Sequence, residues 1–330
     1  MLDYHLHLWP HSQSDAETTV EQVAAYCEHA IAHGVTEIAV TEHLFRFTQA
    51  RDRLGGFWDD LPGDALRPGM VAYWDHHARV DLDDYVEVVE AVKAAGLPVV
   101  LGLEVDYYQD RMEDVADLLK GYPFDVLLGS VHWLGTWRFD VLSDPLVLAE
   151  WDHRDVDQVW DEYTRAMEEL GASGVCDVFA HPDLIKIAGR VPDVPDEFYD
   201  RITEAAVRSG MAAELSSAGW RKPVGEEYPA PPLLRRFVEQ GVPLTTASDA
   251  HTLPDVADRA DDMRGLLKAA GVHTLRGFRE RRPHEIAVSP APGTSDEAEA
   301  SGGTDASGGP AASGGPAASG GTGLSGSRKD

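Results

Sequence analysis

The chain has 330 residues, and its 28 Lys+Arg against 57 Asp+Glu give a formal charge of −29, the wrong sign for a general nucleic-acid or anionic-membrane binder, whose affinity comes from neutralising phosphates. Its 43% hydrophobic content supports a sizeable core, yet no run approaches the ~20 consecutive apolar residues that cross a bilayer, and Met1 to Pro10 lacks a signal-peptide pattern, so a cytoplasmic protein is expected. Two cysteines, Cys27 and Cys176, exclude a disulfide framework, a Cys-rich zinc site and a CxxC pair, so histidines and carboxylates must hold any metal.

In chain order, a strand over Leu2–Leu8 leads to a helix over Val20–His33, which Gly34 is placed to end. A strand at Glu37–Thr41 precedes an insertion, 44–80, rich in Gly, Pro, Asp and aromatics, which reads as a long loop over one mouth of the fold. The alternation resumes with a helix over Asp83–Ala95 closed by Gly96, a strand at Pro98–Glu104, a helix over Met112–Leu119 and a strand at Asp125–Val131. It continues with helix Val156–Leu170, strand Asp177–Ala180, helix Pro195–Ser209, strand Met211–Leu215, helix Pro231–Gln240 and strand Val242–Thr246. Seven strand–helix units without a composition break predict an α/β fold with a parallel sheet closed into a barrel over residues 1–288. From residue 289 to 330, Gly, Ala, Ser and Pro dominate and an ASGGP unit recurs, the composition of a disordered tail.

In β/α barrels the reactive groups sit where strands run out into the loops that lead to helices. Six of the seven strands here end in or near a histidine or an acid. The first gives His5 and His7, which strand alternation puts on one face, with His11 just beyond. The second ends in Glu42 and His43. Glu104 closes a strongly apolar run, where a carboxylate is costly unless it is paired or binds metal. His132 and His181 follow the fourth and fifth strands, and Asp249 and His251 follow the seventh at the same i, i+2 spacing as the first pair. The other seven histidines, His29, His33, His76, His77, His153, His273 and His284, read as solvated or structural. Nine candidate ligands exceed what one ion takes, so two or three metals are implied, and imidazole with carboxylate suits Zn, Mn or Fe.

At these residues the sequence resembles the polymerase and histidinol phosphatase (PHP) superfamily, specifically its histidinol-phosphate phosphatases. The resemblance covers 1–288 and rests on HLH with His11, TEH, GLEVDY, GSVH, AHPDLIK and SDAH in the family's order. It implies a distorted (β/α)7 barrel in which one metal is held by His5, His7, Glu104 and Asp249. A second metal shares Glu104 with His132 and His181, and a third uses His11, His43 and His251. It further implies catalysis centred on Glu104, Asp249 and His251, in which a metal-bridging hydroxide hydrolyses a phosphate monoester, L-histidinol phosphate. Lys186 and Arg221 are the cations the family pattern offers to phosphate, ahead of Arg190 and Lys222, and Asp106 is the acid offered to the substrate's ammonium or imidazole. Phe57, Trp58, Tyr73 and Trp74 are available to cover the ring or to pack the insertion.

Three rivals remain at this stage. One is a PHP phosphoesterase acting on a nucleotide or sugar phosphate. A second is an amidohydrolase-type barrel, which also begins with His-x-His. The third is a metal-stabilised module that binds a protein. The expected partner is a small phosphate ester, with no nucleic acid or membrane, and the oligomeric state is left open.

Overall fold

A computed structural model of the chain describes residues 1–13, 17–61 and 65–288. Seven parallel strands form one sheet in chain order: β1 (Leu2–Leu6), β2 (Glu37–Val40), β3 (Val99–Asp106), β4 (Val126–Ser130), β5 (Val178–Phe179), β6 (Ala212–Ser216) and β7 (Leu244–Ala247). The sheet closes on itself beyond β7. The His7 amide donates to Ala250 O at 2.7 Å, the Asp249 amide donates to His5 O at 2.9 Å, and Thr246 Oγ1 donates to Leu2 O at 2.7 Å. The seven-stranded barrel expected from the alternation is therefore present. Its strands are covered on both faces and so read as apolar runs; every residue of β3, Val-Val-Leu-Gly-Leu-Glu-Val-Asp, is buried.

The helices between strands carry the local signals that predicted them. Helix α1 (Val20–Ala32) starts at Thr19, whose side chain accepts from the Gln22 amide, and ends before Gly34 at φ +76°. After the insertion, which holds α2 (Thr48–Leu54) and α3 (Arg67–His77), come α4 (Leu82–Ala94) and α5 (Met112–Leu119). Helices α6 (Pro145–His153) and α7 (Val156–Ser173) are capped by Asp144 and Asp155, and α8 (Asp196–Ser209), α9 (Pro231–Glu239) and α10 (Ala260–Ala269) complete the outer layer. None of the described helices is long and apolar enough to cross a membrane. Cys27 and Cys176 are both free and buried.

Three features depart from the sequence reading. The described residues of 44–80 form not an irregular loop but two helices and two 3-10 turns. Their aromatics drive this: Phe57 and Trp74 are buried, both meet Tyr108 edge-on at ring distances of 5.4 and 6.0 Å, and Phe57 stacks on Trp133 at 5.8 Å. Helices α6 and α10 fall in segments to which the sequence reading assigned no element. The chain also continues past the barrel into an antiparallel hairpin, β8 (Thr274–Arg279) and β9 (Arg282–Ala287). Its turn residues Glu280 and Arg281 adopt φ of +49° and +62° without the Asn or Gly that marks such turns, and its outward face lacks alternation, so no sequence signal betrays it. The hairpin closes the end of the barrel opposite the histidines. Arg281 Nε meets Asp177 at 2.5 Å, the Glu280 amide donates to Asp125 at 3.0 Å, and Arg279 pairs with Glu37, all at strand beginnings. The expected tail, 289–330, lies outside the described residues.

Candidate metal centre and active site

The carboxyl ends of six strands converge on Glu104. It leaves β3 with both oxygens buried and serves two sets of imidazoles, one for each oxygen. Oε2 lies 3.4 Å from His5 Nε2, 3.5 Å from His7 Nε2 and 2.6 Å from His43 Nδ1. Oε1 lies 3.3 Å from His132 Nε2 and 3.0 Å from His181 Nε2. Asp249 Oδ1 faces the first set, 3.9 Å from His5, 3.5 Å from His7 and 3.6 Å from His251. Four triads have ligand atoms mutually within 4.8 Å: His7–His43–His251, His5–Glu104–His181, His5–His7–Asp249 and His43–Glu104–His132. His11 belongs to none of these triads. It sits at the exposed rim with its ring 4.3 Å from that of His251 and 5.1 Å from that of His43.

The electrostatics of the cluster favour a cation. Burial alone would raise the Glu104 carboxyl, but His5, His132 and His43 hold it well below the usual carboxylate range. Burial likewise opposes ionisation of Asp249, which His5 and His7 overcome. In turn, His5 and His132 are pushed well above the ordinary imidazole value against their burial, by Glu214 and Glu104 for the first and by Glu104 and Asp106 for the second. The buried carboxylates thus draw positive charge onto neighbouring rings, the demand a divalent cation meets. His43 Nε2 and His251 Nε2 are buried without a hydrogen-bond partner among the described residues, which is costly unless a ligand satisfies them. The nitrogen and oxygen donor set, free of thiolate, fits divalent metal binding.

Backbone strain accompanies the site. Asp249 and His181 adopt φ of +51° and +25°, unusual for residues that carry a Cβ. The Asp249 conformation is held by its amide on His5 O and by Arg221, whose Nη2 donates to Ser248 O at 2.6 Å and Asp249 O at 3.1 Å.

Above the cluster lies a cavity of about 270 Å³, lined among others by His11, His43, His132, His181, Asp249, His251, Phe45, Tyr73, Asp140 and Lys222. The three residues expected to touch substrate do not line it. Lys186 is fully buried and bound elsewhere, with Nζ 3.0 Å from Asp183, 2.8 Å from Glu226 and 2.7 Å from Glu227 O. Arg221 is committed to the Ser248–Asp249 backbone and to Asp258 at 2.6 Å. Asp106 points at His132, 2.6 Å from Nδ1, rather than at a ligand. Arg190 pairs with Asp152. Among the described residues the lysine that lines the cavity is Lys222, ranked lower from sequence, and the acid there besides Asp249 is Asp140, which sequence reasoning missed because it lies on a connection far from any strand end. Glu214 was also missed, although a glutamate inside the apolar run Ala-Ala-Glu-Leu-Ser of β6 is the same signal that singled out Glu104. Of Phe57, Trp58, Tyr73 and Trp74, Tyr73 lines the cavity, joined from the same insertion by Phe45, and none of the seven histidines read as solvated or structural does.

Fold and site together define a parallel β/α barrel whose carboxyl-end loops carry a histidine and carboxylate cluster fit for divalent metals. The PHP domain model matches residues 3–218, and the chain belongs to the PHP domain family. It is 36% identical over 233 residues to the "Probable histidinol-phosphatase" of Deinococcus radiodurans, covering 68% of this chain and 85% of that one. It is 23% identical over 287 residues to the "Histidinol-phosphatase" of Lactococcus lactis, covering 84% and 94%. The crystal structure of histidinol phosphate phosphatase from Lactococcus lactis complexed with Zn, L-histidinol and phosphate superposes with a TM-score of 0.60 at 21% identity, over 86% of this chain and 98% of that one.

Proposed function

We propose that this protein is a metal-dependent phosphomonoesterase that hydrolyses L-histidinol phosphate to L-histidinol and phosphate, a step of histidine biosynthesis. The observation that carries the reading is the convergence of five imidazoles on the two oxygens of Glu104 beneath a cavity that presents both a lysine and an aspartate. The naming of the Deinococcus and Lactococcus relatives supports the substrate.

In this reading two or three divalent ions, Zn, Mn or Fe, would be held by His5, His7, Glu104 and Asp249, by Glu104 with His132 and His181, and by His11, His43 and His251. Bound there, they supply Lewis acidity and a water-derived nucleophile at neutral pH. The protein's own part is charge placement and orientation. Lys222 meets the phosphoryl group, Asp140 meets the ammonium of the substrate, and Phe45 and Tyr73 flank its ring. Burial pushes the Asp140 carboxyl up while His132 and Lys222 pull it down. A cationic substrate adds to that downward pull and is favoured for it. Asp249 and His251 present their donors from a turn that Arg221 clamps, so catalytic geometry is set before substrate arrives.

The amidohydrolase alternative often uses a carboxylated lysine as its bridging ligand, whereas the acid between the two sets of imidazoles here is Glu104. The test is phosphate release from L-histidinol phosphate and from nucleotide and sugar phosphates, before and after chelation with Zn or Mn added back. Metal-dependent turnover selective for L-histidinol phosphate is expected, and Glu104→Gln should abolish it while lowering metal content. Equal turnover of all esters would move the substrate, and hydrolysis that survives full chelation would remove the mechanism.

A further inference from the structure

Two of the inner histidines have a second carboxylate on the ring nitrogen that faces away from Glu104. His5 directs Nε2 to Glu104 and Asp249, while its Nδ1 lies 2.8 Å from Glu214 Oε2. His132 directs Nε2 to Glu104, while its Nδ1 lies 2.6 Å from Asp106 Oδ1. Both acids are wholly buried and lie outside the lining of the cavity. Glu214 also spans two parts of the cluster, because its other oxygen accepts the His181 amide at 3.3 Å, where the backbone turns through positive φ. No such close carboxylate stands behind two other rings: His181 Nδ1 has no hydrogen-bond partner among the described residues, and Glu42 stands 3.6 Å from His7 Nδ1.

A neutral imidazole offers one N–H and one lone pair, and only the lone pair binds a cation. A carboxylate on Nδ1 selects the tautomer whose Nε2 lone pair points inward, and it raises the basicity of that nitrogen. We propose that Glu214 and Asp106 are positioning residues that hold His5 and His132 in the metal-binding tautomer and orientation. The proposal rests on the cluster being a metal centre. It removes Asp106 from substrate recognition and gives a role to Glu214, which has none in the reaction as described above. A buried glutamate and aspartate that touch no substrate are otherwise only a cost to folding.

The test uses the full chain, stripped with chelator and titrated with Zn²⁺ against a chromophoric chelator, for wild type and for Glu214→Leu, Glu214→Gln, Asp106→Leu and Asp106→Asn. The leucine variants should lose roughly 10–100-fold in Zn²⁺ affinity. The amide variants keep an acceptor and should lose less, and their isosteric shape covers the case in which a leucine variant fails to fold. In Zn-loaded wild type, imidazole ¹⁵N shifts should show His5 and His132 protonated on Nδ1, a signature that packing alone would not produce. Zn²⁺ affinity within twofold of wild type in all four variants, or Nε2 protonation of these two rings in the loaded protein, would overturn the proposal while leaving the metal centre intact. Failure of wild type to take up Zn²⁺ would sink the metal centre itself and this proposal with it.

Discussion

Lys186→Met separates a structural lysine from a phosphate-binding one. Methionine keeps the apolar stem and deletes the ammonium, which stands 3.0 Å from Asp183 and 2.8 Å from Glu226 and donates to Glu227 O at 2.7 Å. Asp183 is fully buried and would keep only the Ala230 amide at 2.7 Å, with Oδ1 already lacking a hydrogen-bond partner. Stranding one member of a buried pair costs about 3–5 kcal/mol. Glu226 has a side chain 37% exposed and adds little. For a folded unit of this size that loss corresponds to a fall in Tm on the order of 10 °C. The measurement is a thermal and urea melt of the metal-loaded protein, together with kcat and KM for L-histidinol phosphate at a temperature where the variant is folded. Stability should fall by the stated amount while KM stays within about twofold. In a double-mutant cycle with Asp183→Asn, the pair of substitutions should cost less than the sum of the singles, because the stranded charge is gone. A variant as stable as wild type with KM raised tenfold would show that Lys186 reaches phosphate and would refute this reasoning.

Three further outcomes are expected. Arg221→Ala frees the Ser248–Asp249 turn, so metal content measured by mass spectrometry should drop; full metal content with only KM raised would return Arg221 to phosphate binding. Lys222→Ala should raise KM about tenfold for both L-histidinol phosphate and p-nitrophenyl phosphate, whereas Asp140→Asn should do so only for the first, since the second carries no ammonium; equal effects on both esters would deny Asp140 its specificity role. His77, lowered to about 3 chiefly by burial and then by Arg46, refuses the proton that the unfolded chain takes up near pH 6.5. Stability should therefore decline as pH falls from 7 to 5.5, by about 1 kcal/mol from this residue, and His77→Leu should show a pH slope shallower by that amount in urea melts; an unchanged slope would mean that His77 is protonated in the fold.

The residues that the sequence by itself determined are those whose position along a strand settles where their side chains gather. Parallel strands buried on both faces must be apolar, so β3 and β4 announce themselves, and any polar group at their carboxyl ends is confined to one mouth of the barrel. His5, His7, Glu104, His132, His181 and Asp249 are legible for that reason, and the barrel with them. Tertiary structure alone decided what the charged residues on connections touch. Lys186 meets Glu226 forty positions on, Arg221 meets Asp258 thirty-seven on, and Asp140 and Lys222 come together at one cavity from unrelated loops. A loop side chain's type is written in the sequence, but its partner depends on which distant opposite charge the fold brings within about 3 Å of it. The same limit hid the β8–β9 hairpin, whose turn lacks glycine and whose anchors, Glu37, Asp125 and Asp177, sit at strand beginnings far away in the chain.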